Sequence, residues 1–455
     1  MVNRRKFLKT AGAFTAGTAA FGTAQANDLL EAGRNLLRDL GKKEEPKPAA
    51  APASSPAPAP VKAGGHVVVV GGGYGGATAA KYIRMWSDGS VKVTLIERNT
   101  QFTSCPISNL VVGGLKQLED ITVSYDNLRS KWGVEVITDE VIGIDPARRQ
   151  VSLGRGPTLN YDRIVLSPGV DFMPDRIAGL TGNEHLVPHA WKAGPQTVLL
   201  RRQLEAMPDG GVYALHIPQA PYRCPPGPYE RACMVANYFK QHKPKSKVLI
   251  LDANPDITSK KGLFMKAWDE HYKGMIEYQP NSRLLSVNAA ARTAELEFGN
   301  VKADVLNVVP PMRAGRLVDF LGIGLANDRW VDVDFRTLEV KGLPGVHVLG
   351  DATLSAPAMP KSGHMANQHA KVAAAAIIEM QAGRAPNPSP VVMNTCYSFV
   401  DSESVVHVAS VHQWNTEKGT LLAVPGSGGV SAMASKLEGR HAMSWAQNIW
   451  ADMLA

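Results

Sequence analysis

Cysteine is scarce in this chain, and its spacing excludes several chemistries. Four cysteines (Cys105, Cys224, Cys233 and Cys396) occur in 455 residues, with no C-x-x-C pair and no C-x-x-C-H. Thiolate zinc pairs and covalently attached haem therefore have no motif here, and no metal site is expected. Long hydrophobic runs are also missing, since no stretch approaches the roughly 18 uninterrupted apolar residues of a membrane-spanning helix. A membrane is accordingly not expected as a partner. There is no long basic run and no interleaving of basic with aromatic residues. The formal charge of +8 comes from 49 basic and 41 acidic residues. Four of the basic residues (Arg4, Arg5, Lys6 and Lys9) lie in the first 26 positions, which hold no acid; without them 45 face 41. Nucleic acid is not an expected partner.

What is present begins with a leader. Asn3-Arg4-Arg5-Lys6-Phe7-Leu8-Lys9 precedes a weakly apolar Gly/Ala/Thr stretch that closes on Ala24-Gln25-Ala26. Paired arginines, a mild apolar region and a small-residue cleavage site predict a twin-arginine signal over residues 1–26 and a periplasmic mature protein. That route exports folded chains, which suits a protein that takes up its cofactor before export. Residues 27–65 hold a short amphipathic helix (28–41) and a Pro/Ala-rich linker (EEPKPAAAPASSPAPAP) unable to form a core.

From His66 onward a strand, a Gly-rich turn, a helix and a second strand (91–97) read as a βαβ unit. Strand patterns recur at 163–166, 212–217, 247–252 and 346–349. The expected fold is α/β, with two doubly wound nucleotide-binding-type domains, the second inserted into the first. The first comprises 66–175 and 301–385, and the second 176–300. Residues 386–455, with short strands at 405–411 and 420–424 and a last amphipathic helix, form a C-terminal interface domain.

Gly71-Gly72-Gly73-Tyr74-Gly75-Gly76 contains G-x-G-x-x-G directly after the first strand. Gly71 permits the tight turn, Gly73 lets backbone approach a pyrophosphate, and Gly76 lets helix and strand pack closely. Glu97 ends the next strand, where a carboxylate can bind an adenosine ribose. Downstream, Gly350-Asp351-Ala352 follows a strand and precedes a helix. An Asp there can simply cap a turn, but the motif resembles the second flavin motif of glutathione-reductase-like flavoproteins. The resemblance implies FAD, with Asp351 on its ribityl chain. Ser167-Pro168-Gly169 is similar to that superfamily's middle Gly motif, with an atypical proline. The second half departs from the pattern. After 212–217 the chain reads Pro218-Gln219-Ala220-Pro221-Tyr222-Arg223-Cys224-Pro225-Pro226. Proline offers no N–H to a pyrophosphate and no glycine sits at the turn, so NAD(P)H is not the expected electron partner.

In an oxidising compartment four cysteines are compatible with plain structural disulfides, in three connectivities. Three segments bear on that choice: Phe102-Thr103-Ser104-Cys105-Pro106-Ile107-Ser108-Asn109, the run from Tyr222 through Cys224 to Glu230-Arg231, and Asn394-Thr395-Cys396-Tyr397-Ser398. Together, in this order, they resemble the flavoprotein subunit of flavocytochrome c sulfide dehydrogenase. That family is related to the sulfide:quinone oxidoreductases, and the likeness extends from His66 to the C-terminus. It implies FAD held covalently through Cys105, a redox-active disulfide between Cys224 and Cys396, sulfide as substrate, and a c-type cytochrome subunit as acceptor. Cys233 matches no motif and is expected to be buried.

Chemistry is compatible with those roles. Sulfide can attack a disulfide sulfur to leave a cysteine persulfide. The released thiolate would then pass two electrons to the flavin. Glu230 is the nearest candidate proton carrier, with a surface glutamate beside Arg231 as its alternative. The helix starting near Gly363, with Lys361 beside it, is expected to offer positive charge to the ring. A quinone-reducing relative with the same sulfur chemistry, or a flavin-bearing sulfur carrier without catalysis, are the competing readings.

Overall fold

The computed structural model describes residues 63–455. The twin-arginine leader, the 28–41 helix and the Pro/Ala-rich run lie outside the described residues. The described chain opens with β1 (His66–Val70), α1 (Tyr74–Trp86), β2 (Lys92–Glu97), β3 (Glu135–Thr138) and β4 (Arg163–Leu166). Next come β5 (Val212–Ile217), α2 (Gly227–His242), β6 (Lys247–Asp252), α3 (Lys261–His271), β7 (Ile276–Gln279) and β8 (Val305–Val308). The chain closes through β9 (Val333–Asp334), β10 (Glu339–Val340), β11 (Val346–Val348), α4 (Gly363–Gln381), β12 (Val391–Phe399), β13 (Val405–Asn415), β14 (Thr420–Ala423) and α5 (Lys436–Leu454).

The first sheet has the order β9-β10-β11-β4-β1-β2-β3. Its centre is parallel, with Val67 beside Val93 and Arg163, and Leu166 beside Val348. Val67, Val68 and Val69 have no exposed surface. A four-residue valine run without alternation is what a strand covered on both faces requires. Helices α1 and α4 pack against each other. A Cβ on Gly75 of α1 would lie 3.5 Å from Ala366 O of α4, and Asn367 Nδ2 of α4 donates to Thr78 Oγ1 of α1 at 2.9 Å.

The second sheet, β7-β6-β5-β8, is also parallel. It includes Val305–Val308, so it runs past the 300 boundary read from the sequence. That strand pairs with β5 across a sequence gap, which local patterning does not reveal. The third sheet is antiparallel, β12-β13-β14, with a short strand at Gly429–Val430 also on β13. Its strand β12, which carries Cys396, went unread in the sequence. Helix α5 contacts α1, β12 and β13, tying this sheet to the first domain. Among the described residues no helix is long and apolar enough to cross a membrane.

Candidate active site

A cavity of about 800 Å3 runs from the Gly-rich turn after β1 to the third sheet. That size lies within the range of cofactor sites. Each glycine at its far end has a distinct steric reason. Gly71 has φ +98°, and a Cβ there would lie 2.5 Å from the Ser167 carbonyl oxygen. A Cβ on Gly76 would overlap the carbonyl oxygen of Gly71. At Gly73, the residue before α1, a Cβ would meet nothing within 4 Å and would instead occupy the cavity. Thus Gly71 and Gly76 shape the turn, whereas Gly73 keeps open the space in front of a helix N-terminus.

Glu97 lines the same end, and its carboxylate accepts from Gly72 N at 2.7 Å and from Asn99 N at 2.9 Å. Farther along, Asp351 is buried and follows Gly350, whose φ is +73°. Its Oδ1 has no hydrogen-bond partner, and burial pushes its pKa up against the opposing pull of Arg223 and Lys361. A buried acceptor without a donor in a cavity wall calls for a hydroxyl from whatever fills the cavity. The residues present therefore fit a flavin dinucleotide: a glycine cradle, a ribose-side carboxylate and an unpartnered carboxylate beyond it.

Cys105 sits between a short strand (Gln101–Thr103) and a short helix (Ser108–Val112). Buried Ser104 fixes that turn by donating to Pro106 O at 2.7 Å while its hydroxyl meets the Tyr74 hydroxyl at 2.6 Å. The Cys105 sulfur faces the cavity and receives the Ala193 N–H at 3.2 Å.

Cys224 lines the cavity from the turn before α2, with φ +60°. Its N–H donates to Lys361 O and its carbonyl accepts from Gly227 N, both at 2.9 Å. A Cβ at Gly227 would lie 2.8 Å from the Cys224 sulfur, so glycine is needed there. Cys396 arrives from β12 and lines the same cavity. All four cysteines are free in this structure, and burial pushes the Cys224 and Cys396 thiols up. Glu230, in the first turn of α2, also faces the cavity but is only 8% exposed, which removes the surface alternative. Its two oxygens accept from Asn109 Nδ2 and Phe399 N, each at 2.8 Å. Burial nevertheless raises its pKa.

Three family models match consecutive parts of the chain. A pyridine nucleotide-disulphide oxidoreductase model covers residues 65–203. The central region of the sulfide dehydrogenase (flavocytochrome c) flavoprotein chain covers 197–310, and the flavocytochrome c sulphide dehydrogenase flavin-binding region covers 388–454. The flavoprotein chain of that enzyme from Chlorobaculum thiosulfatiphilum is 60% identical over 45 residues, 92% of the relative's sequence and 10% of this chain. The chain belongs to the flavocytochrome c sulfide dehydrogenase flavoprotein family. A mitochondrial sulfide:quinone oxidoreductase from Mus musculus is 25% identical over 310 residues, spanning 63% of this chain and 65% of that relative. The solved sulfide:quinone oxidoreductase from Aquifex aeolicus shares the fold, with TM-score 0.68, 21% identity, and coverage of 85% of this chain and 91% of that one.

Every site residue expected from the sequence lies at or beside this cavity, while one supporting expectation changes. Lys361 does not face it. Its ammonium donates to Asp351 O at 3.0 Å and Thr353 O at 2.6 Å, and lies 3.6 Å from the Trp330 ring centroid. Burial draws its pKa down to about 7. The positive end facing the cavity is the N-terminus of α4 itself, through Ser362, Gly363 and His364. Cys233, as expected, is fully buried, with the Trp268 indole N–H 3.3 Å from its sulfur.

Sequence reasoning missed Arg223, which lines the cavity beside Cys224. Burial opposes its charge, but the sulfur of Cys105, the Asp351 carboxyl and the Cys224 sulfur outweigh that and raise its pKa. Its place immediately before Cys224, inside the second cysteine motif, was the available signal. Lys260 was missed as well, and no local pattern marks it.

Proposed function

We propose that this chain is the flavoprotein subunit of a sulfide dehydrogenase, oxidising sulfide at a Cys224–Cys396 disulfide and passing electrons through FAD to a c-type cytochrome. One observation carries the reading: Cys224, Glu230 and Cys396, from segments far apart in sequence, converge on the cavity that also holds Cys105 and Asp351. In this reading the turn Gly71–Gly76 holds the pyrophosphate, Glu97 the adenosine ribose and Asp351 a ribityl hydroxyl, while Cys105 forms a thioether to the cofactor. FAD supplies a two-electron acceptor that can release electrons singly.

The protein's own groups do the rest. The disulfide presents an electrophilic sulfur to hydrosulfide. Glu230, with its raised pKa, takes the proton of the incoming sulfide. NAD(P)H is not the proposed donor. Asp252, at the end of β6 where a nucleotide ribose would be read, is fully buried and already accepts from Tyr229, Tyr278 and Asn254. The Arg4-Arg5 leader supports a periplasmic location for the mature protein.

A quinone acceptor is the second reading, favoured by the sulfide:quinone relatives and by exposed Val430, Met433 and Leu437 near the C-terminus. Anaerobic sulfide titration tests the common core, because bleaching of the flavin is expected and its absence would leave only a sulfur carrier. Cytochrome c reduction outpacing decylubiquinone reduction supports the first acceptor, and the opposite order the second. In acid precipitation, flavin should stay with the wild-type polypeptide and leave with Cys105→Ala; free flavin from the wild type would refute the thioether.

A further inference from the structure

The two cysteines of the proposed pair do not sit in equivalent surroundings. Asn394 is buried, and its Nδ2 lies 3.2 Å from the Cys396 sulfur. The orientation of that amide is decided by its neighbours. The Ser362 hydroxyl oxygen caps α4 by accepting from Met365 N at 3.0 Å, and its proton is directed to Asn394 Oδ1 at 2.6 Å. With Oδ1 turned to Ser362, Nδ2 is the amide atom nearer Cys396 and donates to its sulfur, while the protonated Cys396 thiol can itself donate to Oδ1 at 3.6 Å. A file of dipoles thus runs from the α4 N-terminus to one sulfur. No group among the described residues donates a hydrogen bond to the Cys224 sulfur.

Lys260 adds a charge on the same side. It is buried, and its ammonium donates to Cys396 O at 3.0 Å, Ser398 Oγ at 2.7 Å and Val406 O at 3.3 Å. No carboxylate among the described residues lies within ion-pair distance of it. Burial pulls its pKa down to about 8, while Cys396, Glu230, Cys224 and Glu438 favour its charge, Cys396 most strongly. Arg223 is the competing cation on the Cys224 side, but it interacts with Cys105 and Asp351 more strongly than with Cys224. The other groups bearing on Cys396 are Glu230 and Asp351, both of which disfavour a thiolate there.

Resting on the disulfide reading above, we propose that Lys260 and the Ser362–Asn394 relay make Cys396 the sulfur that carries negative charge, so that sulfide attacks Cys224. Hydrosulfide forms a bond to the Cys224 sulfur, the Cys224–Cys396 bond breaks, and its electron pair leaves on Cys396. The products are a Cys224 persulfide and a Cys396 thiolate, with no other oxidant consumed. Lys260 and Asn394 are positioning residues in this scheme, acting through Cys396.

The test uses the intact flavin-loaded protein under anaerobic conditions. After dithiothreitol reduction and removal of the reductant, iodoacetamide labelling of each cysteine is followed by mass spectrometry from pH 6 to 10. Cys396 should label with a midpoint at least about one pH unit below that of Cys224, a tenfold larger thiolate fraction. Lys260→Met and Asn394→Ala should each raise the Cys396 midpoint by more than that of Cys224, on which Lys260 also acts, whereas Lys260→Arg keeps the wild-type order. One equivalent of sulfide added to the oxidised wild type should leave one extra sulfur atom on Cys224. An extra sulfur on Cys396, equal midpoints in the wild type, or a Cys396 midpoint unmoved in well-folded Lys260→Met would overturn the assignment. The wild-type measurements stand even if that variant does not fold. If both cysteines label fully before any reduction, the disulfide reading itself fails, an outcome separate from those three.

Discussion

The two nucleotide-type halves share a strand–turn–helix frame, but their turns are built for different occupants. After β1 the turn runs through glycines, Gly73 faces open space, and Glu97 lines the cavity. After β5 the turn carries prolines and Cys224, and Asn254 ties it down by donating to Pro218 O at 3.0 Å and accepting from Ala220 N at 2.9 Å. Asp252, the counterpart of Glu97, receives Tyr229 OH at 2.7 Å and Tyr278 OH at 3.1 Å on Oδ2. Both carboxylates accept from neighbours, Glu97 from Gly72 and Asn99, but Glu97 stays at the cavity wall whereas Asp252 is fully buried, so only the first half presents its acid to a ligand. The same frame can therefore open its turn toward a cavity or fill it with prolines and a cysteine, and the turn sequence decides which.

The largest expected effect lies at the residue the second turn presents. Cys224→Ser and Cys396→Ser should each retain flavin and lose sulfide-driven flavin reduction by about 10^3-fold or more, since either change removes the electrophile. Near-normal stopped-flow rates in either flavin-loaded variant would make the second turn structural and dissolve the contrast. Glu230→Gln should lower that rate by about 10^2-fold. Burial lifts the Glu230 pKa, so the ionised form that accepts a proton is lost as pH falls through a midpoint above the ordinary value of about 4.3. The ratio of wild-type to variant rate should therefore rise with pH through that midpoint; a ratio flat across pH would remove Glu230 from proton transfer.

Substitutions in the first turn sharpen the comparison at smaller scale. Gly73→Ala should leave the melting temperature of cofactor-free protein unchanged while weakening FAD binding about tenfold, because the added methyl meets only the cofactor. Gly76→Ala should destabilise the cofactor-free protein as well, because its Cβ strikes backbone. Equal melting losses in the two would mean that Gly73 shapes the turn rather than a binding surface. The smallest effect belongs to the second half. Tyr229→Phe removes one donor from a buried carboxylate and should cost about 1–3 kcal/mol of stability in chemical denaturation. NADH should still fail to bleach the flavin of that variant; rapid bleaching would show that the second half retains a nucleotide site.

Much of the frame was legible in the chain. Strands at 163–166, 212–217 and 247–252 coincide with those observed, since each is a short apolar run covered on both faces. Strand β12 was not legible, because Asn394 takes a buried position where the alternation calls for an apolar residue, and polar Thr395 and Ser398 follow. Lys361 was misread for a different reason. Its place next to a helix start suggested a charge facing the cavity, but three packed neighbours turn the ammonium away.

What the sequence determined alone were features set by short-range sterics: where a glycine is obligatory, where proline withholds a donor, and which runs are wholly apolar. Only the tertiary structure decided which side chains share the cavity and how each is charged there. Cys224 and Cys396 line one cavity because a sheet from the C-terminal segment packs onto the nucleotide-type halves. Lys260 gains its meaning from a carbonyl 136 positions away in the chain. Burial, charge and hydrogen-bond direction at such a point depend on neighbours that no local window contains.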